Sequence, residues 1–241
     1  MVHLGIVSYI NALPFYLPFK LGVLKTTHTF EYGIPTILND YLRTEKIEAA
    51  LTSSIEYLQG SYQLAPDLCI ATYQESLSVN LYLRGKLEGG SIGLTHQSAT
   101  SVILLKILCR HFWNVTPQFF PLIKGKSYDG ILMIGDDALK RLTIPHHKTI
   151  DLATAWYQMT GLPFVFAVIA IRKGVLFDSK ELRQALEWSK IHRQHLVEVA
   201  YHQTQLPKLL INHYYDSFHY QLKERELEGL DLFKKLKEDV S

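Results

Sequence analysis

The 241-residue chain carries 25 lysines and arginines against 23 aspartates and glutamates, and 47% of it is hydrophobic and 20% charged, the composition of an ordinary soluble globular protein with room for a large core or two lobes. A formal net charge of +2 makes no field that gathers nucleic acid, so no nucleic-acid partner is expected. Two cysteines, Cys69 and Cys109, form neither a disulfide framework nor a metal motif, no apolar run reaches the roughly 18 residues of a membrane span, and nothing after Met1 resembles a signal peptide; a cytoplasmic chain with no membrane partner is expected.

In chain order, strand and helix signals alternate. Leu4 to Val7 is an apolar run of strand length that ends in a polar turn, Ser8 to Pro14, with Asn11 as its one amide and Pro14 suited to a first helical turn. Phe15 to Leu24 reads as a short helix, Thr29 to Tyr32 as a half-buried strand, and Ile34 to Thr44 as a helix on the spacing of Ile37, Leu38, Tyr41 and Leu42. Ile47 to Leu51 is a buried strand that runs into the hydroxyl turn Thr52, Ser53, Ser54, and Leu68 to Ala71 and Leu77 to Leu83 follow as strands. Gly85 to Ser91 is rich in glycine and marks a lobe boundary. The strand Ser91 to Leu94 then enters the polar turn Thr95 to Ser101 and an amphipathic helix to Phe112. Tyr128 to Ile134 is a strand that ends at Gly135, Asp136 and Asp137 before a helical stretch from Ala138 to Leu142. Trp156 to Gly161 leads to the strand Val165 to Arg172, and from Ser179 onward the pattern is helical, read as a cap with no chemistry of its own.

Val79 to Arg84 and Val165 to Arg172 are both apolar, both end in arginine and both flank the central segment. If both cross between lobes, the chain enters a second lobe once and returns once. That connectivity predicts an α/β, two-lobed, periplasmic-binding-protein-like fold with a ligand cleft between lobes, lobe 1 being residues 1–84 plus 173–241 and lobe 2 residues 85–172.

The polar turns at the strand ends carry the candidate chemistry. Hydroxyls at helix starts, with free N–H groups and the positive helix end behind them, hold carboxylates without a charged side chain. Ser53 and Ser54 form one such turn and Ser98, Ala99, Thr100 and Ser101 another; each serine also reads as an ordinary N-cap. Asn11 has the same two readings, helix cap or ligand contact, and Asp136 either binds a ligand or caps a helix. No phosphate-binding glycine loop is present, so no nucleotide cofactor is expected. The spacing of His192, His195 and His202 suits no tight metal geometry, and no serine has a plausible histidine and aspartate partner.

Five motifs together resemble the chorismate dehydratase family: Ser8 to Pro14, Ala50 to Tyr57, Gln97 to Val102, Ile134 to Leu139, and Trp156 with Thr160 to Ala167. They arrive in the family's order over residues 4–172. The resemblance implies a two-lobed type II periplasmic-binding-protein-like fold, no metal and no cofactor, and conversion of chorismate to 3-[(1-carboxyvinyl)oxy]benzoate in the futalosine route to menaquinone. It also implies that Asn11 and Ser78 sit at the reacting ring, that the hydroxyls of Ser53, Ser98, Thr100 and Ser101 bind carboxylates, and that Asp136 matches in type only. The sister enzyme 1,4-dihydroxy-6-naphthoate synthase shares the fold, but its Pro-Asn-Asp type turn is not matched by Ile10, Asn11 and Ala12. The family's region after Arg172 matches little here.

Chorismate becomes aromatic on losing a ring proton and the neighbouring hydroxyl, so the protein need only position, polarise and exclude water. The motif turns hold no strong base, and the hypothesis is that the substrate's enolpyruvyl carboxylate takes the proton while Asn11 and Ser78 hold that carboxylate. The rival reading is a cytosolic small-anion-binding protein of the same fold. Oligomeric state is not legible at this level.

Overall fold

The computed structural model describes residues 1–141 and 147–240. The elements run β1 (His3–Val7), a 3-10 turn (Ile10–Ala12), α1 (Leu13–Lys20), β2 (Thr29–Gly33), α2 (Pro35–Arg43), β3 (Ala49–Ser53), α3 (Ser54–Gln59) and β4 (Tyr62–Thr72). They continue as β5 (Val79–Leu83), β6 (Ser91–Leu94), α4 (Ala99–His111), β7 (Gln118–Pro121), β8 (Gly130–Ile134), α5 (Gly135–Leu139), β9 (Lys148–Asp151) and α6 (Leu152–Thr160). The last third holds β10 (Phe164–Arg172), α7 (Lys180–Ile191), α8 (Arg193–Thr204), α9 (Lys208–Asp216), β11 (His219–Gln221) and α10 (Glu224–Glu238). Leu142, the expected end of the helix after Ile134, lies outside the described residues. No helix among the described residues is long and apolar enough to cross a membrane.

The chain divides into two compact units, Met1–Ala71 with Val165–Lys223, and Thr72–Phe164 with Glu224–Ser241. The first is built on a six-stranded sheet of order β11-β4-β10-β3-β1-β2 and the second on a five-stranded sheet of order β7-β6-β8-β5-β9. These divisions differ from the expected boundaries. The glycine-rich stretch from Gly85 lies inside the second unit, a loop that leads into β6 at Ser91, because β5 before it and β6 at its end both pair with β8. Val79–Leu83 is therefore an interior strand of the second sheet, flanked by β8 and β9, and does not cross between units. The chain passes to the second unit twice, the second time for α10.

Each sheet brings its polar turns to one end. In the first unit β1 runs parallel to β2 and β3, so the residues after Val7, Gly33 and Ser53 leave the sheet at the same end, where the antiparallel β10 begins (Ala167 opposite Ser53). In the second unit β6 and β8 are parallel and β5 antiparallel to β8, with Val79 opposite Ile134. Ser78, the Thr95–Ser98 turn, Gly135–Asp136 and Asp151 thus share one sheet end.

α10 completes the second unit's core. Phe233 packs edge-to-face on Phe164 with ring centroids 5.1 Å apart, and on Trp156 at 6.1 Å. Gly229 lets the helix close on the chain here, since a Cβ would lie 2.3 Å from the Pro163 carbonyl oxygen. Phe233 is 1% exposed. Phe233→Ala is expected to destabilise the protein by about 3–5 kcal/mol, measured by urea unfolding, because it removes a fully buried ring packed on Trp156 and Phe164.

Candidate active site

Asn11 sits in a 3-10 turn that flows into α1, and two prolines make that turn unusual. Pro14 has no N–H for the carbonyl of Ile10, which takes the Leu13 N–H of the 3-10 turn, and Pro18 has none for the carbonyl of Pro14, so both carbonyls lose the i+4 donor of a regular α-helix. Hydroxyls from far along the chain take their place. Tyr215 donates to the Ile10 carbonyl at 2.9 Å and Ser189 to the Pro14 carbonyl at 3.0 Å. Between them Tyr220 donates to the Asn11 carbonyl at 3.0 Å. Burial raises both phenols' pKa values, so each remains a donor throughout the neutral range.

The Asn11 side chain does not cap a helix. The caps of the 3-10 turn and of α1 are Tyr9 and Ala12, neither with a side-chain cap bond. Its Oδ1 is buried and has no hydrogen-bond partner. A desolvated amide oxygen without a donor costs about 1–3 kcal/mol, which fits a group kept for a ligand better than one kept for stability.

Ser53 and Ser98 do cap helices. Ser53 Oγ accepts the Glu56 N–H at 3.3 Å and Ser98 Oγ the Ser101 N–H at 3.2 Å, leaving each hydroxyl's own proton to be donated. Ser98 and Ser101 also lie 3.0 Å apart, oxygen to oxygen. Ser54 is fully buried and its hydroxyl donates to the Val165 carbonyl at 2.6 Å, so that hydroxyl ties α3 to β10. Ala99 is exposed at the start of α4, whereas Thr100 and Ser101 are buried. Behind Ser53, the buried Glu56 carboxylate is held by Arg43 Nε at 2.8 Å and by the Tyr62 hydroxyl at 3.0 Å. Burial, with this bond adding to it, pushes the Tyr62 phenol up to about 12.

The turn before β5 is locked by Asp151, a residue that the sequence did not single out. Its Oδ2 accepts from Ser76 N (2.9 Å), Ser76 Oγ (3.0 Å) and Leu77 N (2.8 Å), while Oδ1 caps α6 through Ala153 N and Thr154 N. Burial alone raises the Asp151 carboxyl, against the pull of these donors. Leu77 takes a left-handed φ of 58°, and Asn80 Nδ2 reaches back to its carbonyl at 2.9 Å. The Ser78 carbonyl then receives the Gly135 N–H at 2.8 Å, where Gly135 has φ 62°. Ser78 and Asp136 are neighbours at this sheet end. Asp136 is half-buried and is not a cap, since the N-cap of α5 is Ile134 without a side-chain bond. Among the described residues no three histidine, cysteine, aspartate or glutamate side chains gather to hold a metal ion.

Comparisons with known proteins give this geometry a context. A family model described as menaquinone biosynthesis matches residues 2–239. The chain is 33% identical to the chorismate dehydratase of Thermus thermophilus, covering 95% of this chain and 93% of that protein. It is 30% identical to the chorismate dehydratase of Campylobacter jejuni, with 96% and 95% covered. In structure it resembles a protein from Archaeoglobus fulgidus with a TM-score of 0.79 at 15% identity, covering 99% of this chain and 97% of that one. The periplasmic aliphatic sulphonate binding protein of Escherichia coli gives a TM-score of 0.65 at 12% identity over 99% of this chain and 93% of that chain, and its likeness places the fold among periplasmic binding proteins.

Asp151→Asn places an amide N–H₂ against N–H donors and is expected to cost roughly 2–4 kcal/mol of stability in denaturant unfolding, whereas Asp137→Asn, on an exposed side chain, is expected to cost about 0.5 kcal/mol or less.

Proposed function

The chain belongs to the menaquinone-biosynthesis family, and on that premise we propose that it is a lyase that dehydrates chorismate to 3-[(1-carboxyvinyl)oxy]benzoate. The observation that carries this reading is the match to two chorismate dehydratases at 33% and 30% identity over nearly the whole chain. The orphaned Oδ1 of Asn11 supports it from the geometry.

In the reaction the ring carbon that bears the enolpyruvyl ether loses its proton, and the C–H electron pair becomes the third double bond of the ring. The adjacent C–O bond breaks, and hydroxide and proton leave as water. Aromatisation drives the step, so the protein's part is to hold the diene and its charges in place. Asn11 suits this task because a carboxamide neither gains nor loses a proton near neutral pH. We assign its Oδ1 to orient the ring hydroxyl by accepting its hydrogen bond and its N–H₂ to donate to the enolpyruvyl carboxylate, which takes the ring proton and passes it to the departing hydroxide, so that water leaves. Ser78 is assigned to the same carboxylate.

The remaining residues are assigned to the substrate's carboxylates. Ser53 and Ser98 act through the hydroxyl protons that capping leaves free to donate, Ser101 through its contact with Ser98, and Thr100 and Ala99 through the first turn of α4. Ser54 contributes through the turn it shares with Ser53, its hydroxyl being engaged by Val165. Asp136 is assigned to orient a substrate hydroxyl. The reading includes a cytoplasmic site of action, supported by two buried thiols outside any disulfide, Cys69 and Cys109, the latter pushed up to about 12 by burial and so kept as an unreactive thiol.

Purified protein incubated with chorismate is expected to convert the diene to an aromatic product, followed by absorbance and mass spectrometry. Asn11→Ala is expected to lower kcat by about 10²-fold or more with an unchanged circular dichroism spectrum. Full turnover by Asn11→Ala would overturn the assignment of Asn11, and no turnover by the unaltered protein would favour a binder of small anions.

A further inference from the structure

A cavity of about 990 Å³ lies in the first unit, walled by α7, the start of α8 and the segment from Tyr215 to Lys223. It shares walls with the Asn11 turn: Pro14, Ser189, Tyr215 and Tyr220 all line it, and three of these supply the hydroxyls that hold the carbonyls of Ile10, Asn11 and Pro14. Leu68, Leu196 and Phe218 make an apolar lining and are 1%, 2% and 7% exposed, so the cavity reaches the core. A space of this size, apolar where it meets the core and bordered by charged side chains, suits a small organic ligand with a polar end.

The charge of the lining selects the ligand's polar end. Lys180, Arg183, Lys190, Arg193 and Lys223 outnumber the carboxylates of Asp67, Glu187 and Asp216 by five to three. Asp67 is already paired with Arg183, and Asp216 with Arg193 Nη2 at 3.2 Å. Arg193 itself is incompletely used. Its guanidinium lies 5.3 Å from the centre of the Tyr215 ring, and its Nη1 is buried with no hydrogen-bond partner. Arg193 also opens α8, whose first turn has no side-chain cap, so the positive helix end lies at the same place. A planar cation over the Tyr215 ring, with a donor to spare, matches a carboxylate on an aromatic body.

We propose that this cavity is an effector site for an aromatic carboxylate, bound through Arg193, and that its occupancy is felt at Asn11 through the hydroxyls of Tyr215 and Tyr220. The second half rests on the reading of Asn11 as a substrate contact; the first does not. A ligand that shifts either tyrosine loosens or tightens the turn that carries the Asn11 carboxamide, and so changes kcat more than KM.

The test uses biphenyl-4-carboxylate as the probe and biphenyl-4-methanol as its neutral counterpart, with binding measured by titration calorimetry. The carboxylate is expected to bind once per chain with Kd of roughly 1 mM or below, and the alcohol about tenfold or more weaker. Arg193→Met, which keeps the stem but removes the charge, and Leu186→Trp, which narrows the cavity while keeping the Arg193 guanidinium, are each expected to weaken carboxylate binding about tenfold. Saturating chorismate is expected to leave binding intact while the probe changes kcat by about twofold or more. Equal affinity for the alcohol, binding indifferent to both variants, or displacement by chorismate would overturn the effector site. Binding with unaltered kcat would overturn the coupling, whereas binding by a protein that never turns over chorismate would leave the site standing and defeat the reading of the reaction.

Discussion

The structure depends on a deficit that two prolines create. Pro14 and Pro18 preset the backbone of α1 but remove two of its N–H donors, leaving the carbonyls of Ile10 and Pro14 short of their usual partners in a buried helix start. The Ile10 carbonyl keeps only the Leu13 N–H of the 3-10 turn, and a buried carbonyl left wholly unpaired costs about 1–3 kcal/mol. Tyr215 and Ser189 meet that demand across more than 170 residues of chain, and Tyr220 adds a third bond at Asn11 itself. The carboxamide thus stands on a backbone fixed from behind, which frees its side chain from any capping duty. A rigid turn with an uncommitted polar group is what positioning chemistry asks of a protein that supplies no strong base.

The second unit solves the same problem with one carboxylate. Asp151 gathers Ser76 and Leu77 on one oxygen and the first turn of α6 on the other, so the turn before Ser78 and the start of α6 are held by a single side chain. Leu77 can then keep a left-handed conformation that costs a non-glycine residue about 1 kcal/mol or more. The Gly135 N–H closes the arrangement on the Ser78 carbonyl. In both units the groups that define the turn come from elements distant in sequence.

That distance explains what could be read from the sequence and what could not. The βα alternation, the turn at Asn11 and the hydroxyl turns at Ser53 and Ser98 carry local signals, apolar periodicity followed by hydroxyls at helix starts, and all fall where expected. The short strands β7, β9 and β11 were missed, since three or four residues with mixed burial make no periodic pattern. Val79 to Arg84 reads as a strand that crosses between lobes because an apolar strand looks the same in the middle of a sheet as at a boundary, and only the pairing of Val79–Leu83 with both β8 and β9 decides. Ser54 and Ser53 are alike in sequence, yet one hydroxyl serves the Val165 carbonyl and the other a helix start. The C-terminal third reads as a helical cap without chemistry, yet Ser189, Tyr215 and Tyr220 hold the Asn11 turn; the missing N–H groups of Pro14 and Pro18 are the local signal that points to such donors.

The account's central claim is that Asn11 is a ligand contact held in place by the C-terminal hydroxyls. A crystal structure with 3-[(1-carboxyvinyl)oxy]benzoate bound tests it most directly. The account predicts the Asn11 carboxamide within hydrogen-bond distance of the product, with the Tyr220 hydroxyl still on the Asn11 carbonyl. Product bound with no contact to Asn11, or an Asn11 side chain turned to cap α1, would contradict it.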